Sequence, residues 1–367
     1  MERIISYLKQ FIPLWQKNEK TPYDVLLNQY EPGLTVEKLD AVFDQVKNGI
    51  TTLRHKLSAN DSIPNDEFLS RKVTKVQQSK YAMAAAQRLG YNLNKGRLDD
   101  TIHPFMEALN HDDARITTRC DENNFQMAVL GILHEAVHGL FEQNVDSKYD
   151  DVRSVLPISM SIHESQSLFN EVMVRRSKEF CAVEYPKLQA IVAPTFDDIN
   201  FDQFYQAWLK TEATLIRTEA DPLTYPLHII IRYEIEKAIF NDNVDISDLP
   251  ALWNKKYKEY LGLEVPDDLT GILQDIHWAG GPFGYFPSYA FGHLYAAQFR
   301  ATMTKTLDFK AIFESGDYSP IFEWRKEHVW QYGGAVDPNK VLEDATGEPL
   351  NPQYWLDFVN GLYENFK

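Results

Sequence analysis

The chain has 367 residues, of which 44% are hydrophobic, 13% aromatic and 25% charged. That aromatic content buries more apolar surface than a solvated coil offers, which excludes disorder, while 17 glycines and two cysteines exclude a collagen repeat and a disulfide scaffold. Thirty-seven basic against 53 acidic residues leave a net charge of −16, a field that repels nucleic-acid phosphates and anionic lipid and argues against either as a partner.

Met1–Lys20 carries Glu2, Arg3, Lys9, Lys17, Glu19 and Lys20 without an apolar core or a small-residue cleavage site, so it does not read as a signal peptide. Val36–Leu57 is the first clear helix, with Thr35 as N-cap but Lys38 where a capping box wants Glu, and with Leu39, Val42, Phe43, Val46, Ile50 and Leu53 on one face. Asn65–Leu89 repeats that spacing and ends at Gly90. From Asn92 to Cys120 the texture changes: Asn94-Lys95-Gly96-Arg97 signals a turn and Arg115–Cys120 is strand-like, so a small sheet or hairpin is expected. Helical spacing returns in Asn123–Asn144, Ser161–Glu179, Phe201–Leu215, Pro226–Phe240 and Pro250–Leu261. A glycine- and aromatic-rich loop, Gly280–Pro287, precedes helices Ser288–Thr306 and Ile321–Tyr332. The longest uncharged apolar stretch, around Met127–Leu133, falls well short of the ~20 residues a membrane helix needs. The expectation is a mainly α fold, one large helical domain over residues 1–367, in the cytoplasm with Cys120 and Cys181 reduced.

The sharpest local feature is His134-Glu135-Ala136-Val137-His138. Residues four apart stand about 40° apart around a helix, so both imidazoles leave one face and can share a tetrahedral zinc ion. Glu135 lies on the flank, where its carboxylate can take a proton from water. Catalytic zinc usually keeps three protein ligands. Asn144 stands where a third histidine of the extended motif would be, so a carboxylate on the following helix is required, and Glu164 and Glu171 both qualify. Gly280-Gly281-Pro282-Phe283-Gly284 lacks the preceding strand and following Lys-Ser/Thr of a phosphate cradle, and neither cysteine has a histidine beside it to make a thiol nucleophile.

Beyond that motif the chain resembles the thermostable carboxypeptidase Taq family of zinc metallocarboxypeptidases, through an ordered series of elements. These are His103-Pro104-Phe105, Asp113-Ala114-Arg115-Ile116-Thr117, the zinc motif itself, His163-Glu164-Ser165-Gln166, Ile216-Arg217-Thr218-Glu219-Ala220-Asp221 and Gly271-Ile272-Leu273-Gln274-Asp275-Ile276-His277-Trp278. The likeness runs from about Pro22 to the carboxyl end. It implies that Glu164, rather than Glu171, is the third ligand, and that the sheet lies near the active site. In that frame residues 1–90 are amino-terminal helices, 91–122 the small β element and 123–367 the zinc- and substrate-binding helices. The chain departs from the family in two ways. Members run to about 500 residues, and the helical segment that helps roof their substrate cleft would precede Met1. Val137 stands where the family usually has glycine.

The implied activity is hydrolysis of the last peptide bond of peptides with a free carboxyl terminus. Zinc is the expected cofactor, and cobalt or manganese suit the same donors. Glu135 is the expected general base. His277 and Tyr289 are the expected oxyanion donors, with Tyr285 an equal contender for the second place. An arginine fork should receive the substrate carboxylate; Arg217 is preferred over Arg115, each having acidic neighbours able to hold it instead, and His103 would line the same pocket. An oligopeptidase or dipeptidase on this scaffold, or a metal-binding module without activity, is the alternative, and a homodimer is compatible with the resemblance.

Overall fold

The computed structural model describes residues 1–58, 64–102, 104–155 and 159–364. The expected fold class holds: the chain is mainly helical, with one three-stranded sheet among the described residues. It divides into two compact units, one of Met1–Asn60, Ser159–Ser161 and Thr211–Phe291, the other of Asp61–Ile158, Ile162–Lys210 and Gly292–Lys367.

The first unit is built on helix Tyr225–Phe240, in which every residue from Pro226 to Tyr233 is buried. A helix apolar on nearly all sides belongs in a core. Helix Val36–Ser58 buries Leu39, Phe43, Val46, Ile50 and Leu53, the face its spacing marks out, and sets the Phe43 ring edge-on to that of Tyr233 with their centroids 5.1 Å apart. Full burial of such side chains contributes about 1.5–3 kcal/mol each. Thr35 Oγ1 accepts from the Lys38 N–H at 3.3 Å, the half box expected. The short helix Pro22–Leu27 has a complete one, Thr21 with Asp24, and Asp24 also accepts from the Val36 N–H at 2.7 Å, which fixes one helix start to the other.

The second unit holds the sheet. Strand β1 (Leu98–Asp100) pairs in parallel with β3 (Asp113–Thr118), and β2 (Met106–Asn110) pairs antiparallel with the other edge of β3. β3, the central strand, buries Ala114 and Ile116 to 0% exposure against helix Phe125–Gln143. Gly139 of that helix permits the close approach, since a Cβ there would stand 2.8 Å from the Tyr91 ring.

Two expected helices are divided and a third is shortened. Asn65–Leu89 is a short 3-10 turn, Glu67–Ser70, followed by helix Lys75–Arg88, because Thr74 and Gln77 form a reciprocal capping box that starts a new helix. Ser161–Glu179 is helix Met160–Leu168, a π-helical turn Phe169–Val174, and then a separate helix Lys178–Val192 beginning after Ser177. Phe201–Leu215 stops at Trp208. At the amino terminus Glu2–Trp15 is helical, with an apolar stripe that the charge-based reading of that segment passed over. No helix among the described residues is long and apolar enough to cross a membrane.

Candidate active site

Helix Phe125–Gln143 carries His134, Glu135 and His138, and its i, i+4 geometry brings the two Nε2 atoms to 3.1 Å. Helix Met160–Leu168 presents Glu164, whose Oε2 lies 3.8 Å from His134 Nε2 and 3.6 Å from His138 Nε2. An ion held tetrahedrally at about 2.0–2.1 Å sets its ligands about 3.3 Å apart. The three donor atoms therefore fit one divalent ion, and among the described residues no other trio of His, Cys, Asp or Glu converges in this way.

Two contacts tie the ligand helices together. The Ser167 hydroxyl donates to the His134 carbonyl at 2.9 Å. His134 Nδ1–H donates to Glu171 Oε2 at 2.8 Å, which turns Nε2 toward the ion site. Glu171, the rival for third ligand on residue type alone, thus meets the Nδ1 side of His134, not the Nε2 pair. It stands seven residues after Glu164, the spacing at which two side chains share a helix face. His138 stacks on His163 at 4.3 Å and 8°, and His163 Nε2 pairs with Glu142 at 3.2 Å. Gly292, on helix Phe286–Met303, is the close neighbour of Glu164: a Cβ there would meet Glu164 Cγ at 2.8 Å. Val137, despite its bulk, is fully buried in the core side of its helix.

Burial opposes the charge on Glu164, but His134 and His138 overcome it and draw the carboxyl down to about 2. Burial also opposes a cationic His134, yet Glu164 and Glu171 raise it to about 10. Burial and the neighbouring His163 push His138 down to about 3. At neutral pH the site therefore offers an ionised oxygen and one neutral imidazole, and a divalent ion held there would displace the proton of His134. Glu135 is half-buried beside His134 and contributes to the negative field that raises it.

The first unit brings two of the family-like elements into one network. Asp275 Oδ1 accepts from Arg217 Nε and Nη2 at 3.0 and 2.9 Å, and its Oδ2 from Arg232 Nε at 2.7 Å. Gln274 Oε1 accepts from the Arg217 backbone N–H at 2.9 Å and from Arg232 Nη2 at 2.8 Å. Burial opposes the Asp275 charge, but the two guanidinium groups lower its pKa below the ordinary value. Arg217 is thus held by Asp275 and, through Nη1, by the Tyr225 hydroxyl at 2.8 Å, rather than by Glu219 or Asp221; three of its five N–H groups are engaged. Its guanidinium lies under the Tyr289 ring at 5.0 Å. His277 Nε2 and the Tyr289 hydroxyl are 3.3 Å apart, and Tyr285 stacks on His277 at 5.6 Å. Burial and the Arg217 charge push His277 down to about 4, so its imidazole is neutral at neutral pH.

Arg115 sits in the second unit on β3, half-exposed, with its fork already on Asp113 at 2.8 and 2.7 Å, the pairing that residues two apart on a strand favour. His103 lies outside the described residues. Sequence reasoning passed over Asp275 and Arg232 as the groups that fix Arg217, and Gly292 as the neighbour of Glu164. The Gln-Asp pair inside the last family-like element was the available signal for the first; only tertiary packing reveals the second.

Residues 1–363 match the family described as Carboxypeptidase Taq (M32) metallopeptidase. Carboxypeptidase 1 of Bacillus subtilis is 45% identical over 100% of this chain and 73% of its own length. Thermostable carboxypeptidase 1 of Thermus thermophilus is 36% identical over 93% of this chain and 67% of its own. The crystal structure of the M32 carboxypeptidase from Deinococcus radiodurans superimposes with a TM-score of 0.95 at 32% identity, covering 100% of this chain and 73% of that one.

Proposed function

We propose that this chain, which belongs to the carboxypeptidase Taq (M32) family of metallopeptidases, removes single residues from free carboxyl termini with zinc held by His134, His138 and Glu164. Its class as a metal-dependent carboxypeptidase follows from that membership. The observation that carries the reading of the site is the triangle of two imidazole nitrogens and one carboxylate oxygen at 3.1, 3.6 and 3.8 Å.

Bound there, a divalent ion supplies Lewis acidity that polarises a carbonyl and acidifies water. Glu135 accepts the proton of the attacking water and passes it to the leaving amine, a role commonly worth ~10²–10⁴ in rate. Glu171 keeps the His134 ring in its ligating tautomer. We assign oxyanion stabilisation to His277 and Tyr289, supported by the neutrality of that imidazole and its contact with the tyrosine hydroxyl. Donors of this kind commonly contribute about 2.7–4 kcal/mol to the transition state. Arg217 receives the substrate's terminal carboxylate and Tyr285 lines the same subsite, supported by a guanidinium that Asp275 and Tyr225 hold rigid. Arg115 has weaker support, being tied to Asp113. Zinc is preferred on the His₂Glu donor set, which cobalt or manganese also suit. A reducing, cytoplasmic setting is supported by the thiols Cys120 and Cys181, which form no disulfide.

The test pairs a peptide with its carboxyl-amidated twin. Stepwise shortening of the free acid alone is expected, with Glu135→Gln lowering kcat at least a hundredfold at unchanged metal content. Equal cleavage of both peptides would point to an oligopeptidase instead.

A further inference from the structure

The second unit contains a small cavity lined by Tyr81, Phe125, Arg175, Cys181, Glu184 and Trp208, with a volume of about 20 Å³. A void needs about 10–15 Å³ to admit one water, so there is room for a single small occupant. Arg175 is only 4% exposed, and its Nη1 and Nη2 are both buried without a hydrogen-bond partner. It is the one arginine among the described residues with both terminal nitrogens in that state. The guanidinium carbon lies over the Trp208 ring, 4.0 Å from its centroid, and the indole N–H of Trp208 is likewise buried and unpartnered.

The groups around the cavity are mostly donors. Glu184 is the carboxylate in its wall, and its two oxygens already face Arg88, Lys187 and the hydroxyls of Tyr81 and Tyr318. Glu171, the other carboxylate that acts on Arg175, is bonded to His134. Arg88 and Lys187 thus already neutralise Glu184, and Arg176 stands beside Arg175. Arg175 Nη1 and Nη2 and Trp208 Nε1 are left as unpartnered donors, and an anion needs donors alone.

We propose that this cavity binds one monovalent, halide-sized anion, chloride under cellular conditions, held by the Arg175 guanidinium and the Trp208 indole N–H. Burial and the adjacent Arg176 pull the Arg175 guanidinium down to about 9, although Tyr81 and Glu171 oppose the shift. Arg175 stands four residues beyond Glu171, so the occupant braces the segment that orients His134.

Crystals of the metal-loaded enzyme soaked in sodium bromide and measured at the bromine edge give the direct test. An anomalous peak within hydrogen-bonding reach of Arg175 and Trp208 is expected; a cavity holding only a water, without anomalous signal, would overturn the proposal. In solution, chloride at fixed ionic strength should raise Tm by about 1–3 °C over gluconate, which is too large to enter, and the gain should grow with chloride concentration. Arg175→Met should lose that increment, and equal Tm values in the two salts for the wild type would count against the site. If the variant does not fold, the bromide map of the wild type decides.

Discussion

Replacing Gly292 by alanine puts a methyl group where Glu164 already sits. The new Cβ would stand 2.8 Å from Glu164 Cγ, 3.1 Å from Glu164 Cβ and 3.0 Å from Leu168 Cδ1. Nonbonded carbons settle at about 3.5–4.0 Å, so each neighbour must retreat by about 0.5–1 Å. Glu164 and Leu168 are one turn apart on the same helix and must move together, which shifts the Glu164 carboxylate from its place beside the imidazoles. Overpacking of this kind costs about 1–3 kcal/mol, and metal sites tolerate ligand errors of only about 0.2 Å. Since 1.4 kcal/mol is a factor of ten, zinc affinity should fall by about 10–100-fold. Competition against a chelator of known affinity measures it. Gly361→Ala is the control, because nothing lies within 4 Å of a Cβ there; it should leave zinc affinity unchanged and gain up to about 1 kcal/mol of stability. Gly292→Ala binding zinc within twofold of the wild type would refute the argument that this glycine sets the position of Glu164.

Asp275→Ala strips two buried arginines of their shared carboxylate and should cost about 3–5 kcal/mol in denaturant unfolding; a loss below about 1 kcal/mol would show that Arg217 and Arg232 do not depend on it. Glu236 accepts from Tyr23, Trp278 and the Gly284 N–H in the first unit, and burial pushes its carboxyl up from 4.5 to about 7. The native state therefore keeps a proton that the unfolded chain releases near 4.5. Its contribution, on the order of 3 kcal/mol, is present below that pH and is lost as pH rises through about 7. Relative to Glu236→Gln, wild-type stability should fall across that window; parallel profiles would show that Glu236 is not buried as described.

The zinc motif was legible because its chemistry is local: two imidazoles four residues apart share a helix face whatever surrounds them. The third candidate ligand was legible only through the family resemblance, since Glu164 and Glu171 share a face and both reach His134, one at Nε2 and the other at Nδ1. Residue type and spacing are the same for ligand and orienting group; only the atoms that meet distinguish them. Val36–Ser58 was read correctly because its apolar stripe is long and regular. Asn65–Leu89 was read as unbroken because a capping box can interrupt a helix without disturbing the apolar period. Arg217 was singled out as a carboxylate binder, yet its partner Asp275 is far along the chain, and separation in sequence conceals such pairs.

The most direct measurement is diffraction at the zinc absorption edge from crystals of the zinc-loaded enzyme. A single strong anomalous peak about 2.0–2.2 Å from His134 Nε2, His138 Nε2 and a Glu164 oxygen is expected, with Glu171 remaining on His134 Nδ1. A peak coordinated by Glu171 in place of Glu164, or no ordered ion between the two helices, would contradict the account.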